Sequence, residues 1–573
     1  MSLLSIPGSP PALEHALLEQ YLNTWCRETG VADLRQWPPR PELALPALLQ
    51  QRRLHSGLPL FCLPLQGTGC HLAGLLRCHS LVGWHRVDEC LWLARAGQWR
   101  PLTNAGELAA LIADALAAGD ATASRAAQSL KAVMRNSIAH ARRYAQQPLP
   151  ATGSAFVRGE QGLRLGHVFH VTSKASEGFG EDDLERYAPE LGARFRLHYF
   201  AVPPALHIAT GAAALASEPQ ALDEARQRLP TGDPWPWQLL PCHPWQAGHL
   251  LAQPAVAARV TRGELLSLGP LGELALPTSS VRTVWLPRWQ RFLKLALDIR
   301  ITNFVRNNPP AQVRRALDAS SALARLPSAA VDSPCCRVLL ETAAQSLAVD
   351  APDLLAASTV LHRQALDTAQ MDRACVMATV LEAAQGDHRI GLHALLQQAG
   401  AGHVDAASVL AWWRQYLEVT LQPLLALFLE HGVGLEAHLQ NSLVIFDGGW
   451  PLRGVFRDME GATLNCGCAA ASGLAADSPA LYAEDEAWRR LQYYLLVNHL
   501  GQVAAVLARG GVVGERTLWR EIRHCLARID HPLAAQLRRQ PTLPAKANLL
   551  SSFAARGERP LWVQIPNPLR NEA

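Results

Sequence analysis

Apolar residues recur at three- and four-residue spacing in two stretches of the first 145 residues, LEHALLEQYLNTWCRE and the alanine-rich run from Glu107 to Gln146. That period predicts helices. Between them, HLAGLLRCHSLVGWHRVDECLWLA reads as β-like, and QPLPATGS at 147–154 reads as a connector. From 155 to about 305 the pattern turns mixed. FRLHYFAV, WQLLPCHPWQ, LALPTSSVRTVWLP and FLKLALDIRITNFV predict strands with polar ends, and NNPP at 307–310 breaks the chain. Residues 311–435 read mainly as helices, with VLAWWRQYLEVTLQPLLALFLEHG the clearest. At 441–458, NSLVIFDGGWPLRGVFRD predicts a β-hairpin turning at Asp447-Gly448-Gly449. From 480 onward the pattern is helical again, as in RRLQYYLLVNHLGQVAAVLA.

Composition narrows the function classes. At 573 residues with 49% apolar and 18% charged, the chain can bury sizeable cores and is not a disordered protein. A formal charge of +4 gives no case for a nucleic-acid binder. The opening MSLLSIPGSPPALEHALLEQYL lacks a basic region followed by an apolar one, and no run of about 18 apolar residues occurs. Neither a secretory signal nor a membrane span is expected, and the expected location is the cytoplasm. The twelve cysteines are scattered without a CxxC pair, so free thiols are expected. Of 53 basic residues only Lys131, Lys174, Lys294 and Lys546 are lysine. A lysine kept against that bias suits a place that needs a compact ammonium rather than a planar fork.

No P-loop, GxGxxG after a strand, HExxH or GxSxG is present. Three other constellations remain. In GHVFHVTSKASEGF, His167, His170 and Lys174 offer a metal pair, a polar turn or a carboxylate-binding group. No third metal ligand is near, and lysine and histidine both donate to carboxylates. In PTSSVRTVWLPRWQRFLKLALDIRITNFVRN, the residues Ser280, Arg282, Thr283, Lys294, Thr302 and Arg306 punctuate apolar runs. They suit either a cradle for a triphosphate or a solvated surface ribbon. In EAHLQNSLVIFDGGWPLRGVFRDMEG, a loop with Glu436, His438, Gln440 and Asn441 precedes a hairpin that ends in Arg457-Asp458. An asparagine before the first strand and an aspartate after the second converge at one hairpin end, and such oxygen donors suit magnesium with phosphates. Together the three suggest ATP chemistry on a carboxylic acid, by phosphoryl transfer or by adenylation.

In this order, the constellations resemble those of the siderophore synthetases independent of nonribosomal peptide synthetases, the IucA/IucC (aerobactin-synthetase-like) family. Its motifs look like GHPxHPxxKxRxGF, HPWQ, PTxSxRT with KLxxxxxxT and a later arginine, and EAHxQN with RD. Here they stand as GHVFHVTSKASEGF, LPCHPWQ, PTSSVRT with KLALDIRIT and Arg306, and EAHLQN with Arg457-Asp458; LPAK at 543–546 also looks familial. The resemblance covers roughly 155–550.

The resemblance implies an α+β fold shaped as a cupped hand, with antiparallel sheets and a largely helical C-terminal region. The thumb would be 1–150, the fingers 151–390 and the palm 391–573. It implies adenylation of a carboxylate of citrate, a citryl derivative or 2-oxoglutarate, then displacement of AMP by an amine, with ATP and Mg2+ as cofactors and a homodimer as the assembly. By motif match, Ser280, Arg282, Thr283 and Lys294 grip phosphates, and Thr302 and Arg306 sit where nucleotide and acid meet. His438 and Gln440 face the α-phosphate and the adenylate, Asn441, Asp458 and Glu436 hold magnesium, and His170 and Lys174 contact the acid or the phosphates. Lys294, Arg306 and His438 would be catalytic. Both motif prolines are valine here, Val168 and Val171, and the motif arginine is Ser176. That departure leaves a degenerate, non-catalytic relative as an alternative, beside a kinase-like phosphotransferase using Asn441 and Asp458.

Overall fold

The structure, a computed structural model, describes residues 12–40, 43–118, 123–148, 153–211, 217–229, 237–302, 304–349, 351–382, 391–557 and 559–570. The first eleven residues of the opening stretch, 119–122 of the alanine-rich run and 149–152 of the connector lie outside the described residues. The chain divides into two compact units. The first comprises Met1–Gln147, Arg164–Ser176 and Leu500–Ala573, and the second Pro148–Leu163 and Glu177–His499.

In the first unit, helix Ala12–Glu28 buries Leu17, Leu18, Tyr21, Leu22 and Trp25. They pack against helices Ala105–Ala117 and Ser124–Gln146 and an antiparallel meander of Leu60–Leu65, Cys70–Cys78, Leu91–Arg95 and Gln98–Leu102. The meander is covered on both faces. Phe61, Leu63 and Leu65 enter the main core, while Leu60 and Cys62 enter a second core with Leu49 and Trp92. A strand buried on both faces needs no polar alternation, which is why this stretch reads as a continuous apolar run. Each fully buried leucine contributes about 1.5–3 kcal/mol. From the last segment, Leu549 fills part of the same main core. The helical expectation after 480 holds for Glu484–Leu491, Gly501–Ala508, Glu515–Ala527 and Pro532–Arg539. It misses an antiparallel pair, Thr542–Ala547 with Leu561–Pro566, in which Leu543, Ala545 and Ala547 are buried.

The second unit is built on an eight-stranded sheet. Its strands run in the spatial order His207–Gly211, Glu341–Leu347, Val360–Arg363, Arg291–Lys294, Thr283–Leu286, Leu266–Pro277, Phe195–Val202 and Gln238–Cys242, with every neighbouring pair antiparallel. A four-stranded sheet contains the expected hairpin, Ser442–Asp447 with Trp450–Phe456, flanked by Ala374–Val376 and Cys336–Val338. Gly448 and Gly449 both have positive φ, 51° and 83°, as a two-residue turn matched to strand twist requires. Helices Ala406–Val419 and Leu421–His431 contribute buried Trp412, Trp413, Tyr416 and Phe428.

The helical expectation for 311–435 fails in its middle. Glu341–Leu347 and Val360–Arg363 are inner strands of the large sheet, and Cys336–Val338 and Ala374–Val376 flank the hairpin. Short strands covered on both faces lack the period of two that identifies a strand, and the alanine pair of ETAAQSL favours the helical reading. The fold is therefore α+β with predominantly antiparallel sheets. Among the described residues, the parallel pairs are Cys336–Val338 with Trp450–Phe456 and Thr463–Asn465 with Leu481–Tyr482.

Candidate active site

Antiparallel register brings the second and third constellations together in the second unit. Lys294 stands opposite Thr283 on one side and Leu361 on the other, in the interior of the eight-stranded sheet. Two residues beyond Leu361 in the same strand, Arg363 pairs with Glu341. In the four-stranded sheet the rung Ser442↔Phe456 sets Asn441 opposite Arg457, one residue before Asp458. The predicted convergence of asparagine and aspartate at one hairpin end is thus present.

Lys294 is 2% exposed and lies at the hub of the charges. Its Nζ donates to Asp458 Oδ1 at 2.6 Å and to Glu460 Oε2 at 2.8 Å, and Glu341 Oε1 lies 3.9 Å away. Arg363 donates to Glu341 through Nε and a terminal nitrogen, at 3.0 and 2.5 Å, and lies 3.3 Å from Asp458. Burial works to raise the pKa of Asp458, but Lys294 and Arg363 outweigh it and hold the carboxyl well below the usual range. Glu460 is lowered in the same way, against burial, by Lys294 and Arg282. Burial alone would neutralise Lys294, yet Asp458, Glu341 and Glu460 raise its pKa, so it stays an ammonium.

Arg282 is a clamp as well as a charge. One terminal nitrogen donates to the carbonyls of Arg306 and Asn307 and to Asn308 Oδ1, and the other faces Glu460 at 3.4 Å. Asn308 ties this segment to the sheet through the carbonyls of Lys294 and Thr359. In the hairpin of Leu297–Ile301 and Phe304–Arg306, Arg306 donates to the Ile301 carbonyl at 3.0 Å and to Thr302 Oγ1 at 2.7 Å. Its buried Nε has no hydrogen-bond partner. Burial, reinforced by Arg282, lowers its pKa to about 10. Such a cation gains from a bound anion.

Ser280 Oγ accepts from the Thr283 N–H at 3.2 Å inside a turn whose Val281 has φ 67°. Thr302 has φ 61° and Asp458 φ 77°. Left-handed backbone is costly for any side chain and most of all for β-branched Val281 and Thr302. All three lie within or beside the predicted site residues, where strained backbone tends to collect.

The loop before the hairpin is held from below. His438 Nδ1 accepts from the Gln440 N–H at 3.2 Å, and Asn441 Nδ2 donates to the Glu436 carbonyl at 3.2 Å. Buried His499 donates to the Ala437 carbonyl at 2.9 Å when Nδ1 carries the proton, which leaves Nε2 to accept from Tyr416 Oη at 2.6 Å. Burial lowers the His499 pKa to about 4 and keeps the ring neutral. It lies in the π-helical stretch Gln492–Leu500, a geometry common at functional sites.

The sequence reading missed Glu460, Glu341, Arg363, Asn308, Glu160 and His499. Only Glu460 carried a local signal, its place two residues after Asp458. The others lie outside the quoted motifs, and their partners lie far along the chain.

His170 and Lys174 belong to the first unit, in a run of turns over 167–175 rather than a helix. The His167 and His170 rings are 6.3 Å apart. The His167 Nδ1 accepts from the Phe169 N–H, and the His170 Nδ1 bonds Thr172 Oγ1. Among the described residues, no three His, Cys, Asp or Glu side chains group as a metal site. Lys174 is 8% exposed, and its N–H donates to Ser137. Ser176 is bound to the helix Ser124–Gln146: its N–H donates to Asn136 Oδ1 and its Oγ lies 3.3 Å from His140 Nδ1. Val171, in place of a motif proline, fills the first core.

Comparison with known proteins places this geometry in a family. Residues 155–382 match the IucA/IucC family model, and residues 410–561 match a model described as ferric iron reductase FhuF-like transporter. The chain is 32% identical to the L-2,3-diaminopropanoate–citrate ligase of Staphylococcus aureus, over 87% of this chain and 89% of that protein. It is 30% identical to the rhizobactin siderophore biosynthesis protein RhbC of Rhizobium meliloti, over 75% and 78%. Its fold matches that of ATP-bound aerobactin synthetase IucA from Klebsiella pneumoniae with a TM-score of 0.83 at 24% identity, over 97% of this chain and 100% of that one. With motifs, fold and sequence similarity in agreement, the chain belongs to the IucA/IucC family, the siderophore synthetases independent of nonribosomal peptide synthetases.

Proposed function

We propose that this protein uses ATP to adenylate a carboxylate of citrate or a related polycarboxylic acid and condenses it with an amine, as a step of siderophore biosynthesis. The observation that carries the reading is the cluster in which Lys294 meets Asp458 and Glu460, with Arg282, Arg306 and Arg363 around it. Similarity to citrate ligases and to an ATP-bound synthetase supplies the substrate classes.

A carboxylate oxygen of the acid attacks the α-phosphorus of ATP and pyrophosphate leaves. The amine nitrogen then attacks the acyl carbon, AMP leaves with the bonding pair, and the nitrogen gives up one proton to water. Lys294 and Arg306 offset the negative charge that grows on the phosphorus oxygens and the leaving group, a contribution worth several kcal/mol in a preorganised site. Ser280, Arg282 and Thr283 grip phosphates. His438 and Gln440 face the α-phosphate, and Thr302 and Arg306 orient the acid. No covalent bond to the protein is required, so positioning and electrostatics carry the catalysis.

The donor set fits magnesium. Asp458 and Glu460 share one ammonium, and with Glu436 and the Asn441 amide they offer the hard oxygens that this ion takes beside phosphate. The charge balance points the same way. Lys294, Arg282, Arg306 and Arg363 face Asp458, Glu460, Glu341 and Glu436, so a triphosphate enters a cluster with no spare positive charge. When bound, the ion supplies that charge.

Retention of these charged residues favours an enzyme over a degenerate relative despite Ser176. The thumb, fingers and palm ranges 1–150, 151–390 and 391–573, a homodimer and a cytoplasmic location are parts of the same proposal. The test is product analysis with a panel of polycarboxylic acids and amines. AMP and pyrophosphate support adenylation, ADP supports the kinase-like alternative, and no ATP turnover with any acid overturns the enzyme reading.

A further inference from the structure

Glu160 stands outside every motif, 119 residues before the serine turn and 297 before the hairpin's end. It is 2% exposed, on the helix Ala155–Gln161. That helix is fixed from behind, because Thr379 Oγ1 donates to the Gly159 carbonyl at 2.6 Å. Both carboxylate oxygens of Glu160 are committed. Oε2 accepts from the Ser279 N–H at 3.0 Å and from Ser279 Oγ at 2.8 Å. Arg457 donates to both oxygens, to Oε1 in a short contact and to Oε2 at 3.2 Å.

The bonds close a ring. Arg457 also donates to the Gln440 carbonyl at 2.9 Å, and Gln440 Nε2 returns to Ser279 Oγ at 3.2 Å. One carboxylate thus joins the turn that carries Ser280 and Arg282 to the strand end that carries Asp458 and to the loop that carries His438 and Asn441. On each side the residue just past the pinned one is a proposed ligand, Ser280 after Ser279 and Asp458 after Arg457. Each pinned segment also holds a left-handed backbone, at Val281 and at Asp458. Conformations of that kind persist only where the surroundings over-determine them. A buried ion pair does little for net stability, because desolvation offsets its attraction, but it fixes geometry well.

We infer that Glu160, through Arg457 and Ser279, is a positioning residue that sets the spacing between the phosphate-gripping turn and the Asn441/Asp458 end of the hairpin. Both its oxygens are taken by Ser279 and Arg457, so it acts through them. The inference rests on the ATP-binding reading above. Its signature is a defect confined to the nucleotide: weaker Mg-ATP binding, with the KM for the acid nearly unchanged. Loss of fold alone would not separate the two.

The experiment titrates Mg-ATP into the full-length protein by calorimetry and measures acid-dependent pyrophosphate release, with thermal unfolding as the control for fold. Glu160→Gln keeps an acceptor for Ser279 but removes the charge opposite Arg457. Ser279→Ala removes one hydroxyl and leaves the ion pair, so it tests the ring if Glu160→Gln does not fold. The expected result is Mg-ATP affinity reduced about tenfold or more for Glu160→Gln, the scale of one charge-assisted hydrogen bond, and severalfold for Ser279→Ala. The KM for citrate should stay within about twofold, as no bond to the acid is touched. Wild-type binding that is normal and matched by folded Glu160→Gln, or by Ser279→Ala where only that variant folds, overturns the positioning role. Failure of the wild-type protein to bind Mg-ATP overturns the functional reading, and the inference falls with it.

Discussion

Lys294 Nζ donates to Asp458 Oδ1 at 2.6 Å across 164 residues of chain, from the interior of one sheet to the last residue of a hairpin motif in another. In a protein with four lysines this one sits between two carboxylates, with Arg282 and Arg363 close by. The Lys294→Arg variant is therefore expected to lose most adenylation, and Lys294→Met to lose about 10²–10³-fold. Removing the ammonium also leaves Asp458 short of its partner. The melting midpoint should fall by the equivalent of about 1–3 kcal/mol, less than for a fully buried pair because the Asp458 side chain is 30% exposed. Pyrophosphate exchange and calorimetry check the two effects separately.

Arg306 holds the carbonyl of Ile301 and the hydroxyl of Thr302 with one terminal nitrogen. In Arg306→Lys the ammonium cannot span both acceptors and keep a donor for an incoming anion in the same plane. Turnover should drop at least tenfold with the fold intact. Unchanged kcat/KM for the acid would remove Arg306 from the site.

Thr302 tests whether strain is stored for function. Its φ of 61° costs a β-branched residue about 1–2 kcal/mol, which glycine avoids. Thr302→Gly is expected to hold or raise the melting temperature while weakening the acid step, since the hydroxyl that braces Arg306 is gone. Thr302→Ser keeps the hydroxyl and should keep most activity. A melting temperature that falls sharply in Thr302→Gly would show that the conformation is not strained.

Two groups of carboxyls give opposite pH slopes. Burial raises Glu28 and Glu515 in the first unit to about 7 from an ordinary 4.5. Their stabilisation is complete below about pH 4.5 and is lost as pH rises to about 7. Asp458 and Glu460 are lowered, so their contribution is complete above the usual carboxylate range of about 4 and is lost only as pH falls below it. Stability should therefore peak near pH 5, and Glu28→Gln should flatten the decline between pH 5 and 7. Thermal scans across pH 3–8 measure both slopes.

Motif residues announced the site because each motif is local. SSVRT and EAHLQN need only one turn or loop apiece, and the hairpin after EAHLQN followed from its glycine pair. What stayed hidden was the support. Glu341 and Arg363 lie in ETAAQSL and VLHR, which read as helix because buried inner strands show no alternation. Glu160 gave no signal at all, since its partners become neighbours only after three distant segments fold together.

The first unit draws on three separate pieces of chain, and Leu549 and Phe553 pack with a core whose other residues come before 172. Glu28, in the first helix, accepts from the N–H groups of Leu549 and Leu550 at 2.9 and 2.8 Å. On the ribosome, at roughly 5–20 residues per second, those partners arrive tens of seconds after the helix that needs them. For that interval the nascent unit shows an unfilled apolar slot and an unmatched carboxylate. Chaperone cover over that interval then bears on its yield in a cell, beside the stability of the finished fold.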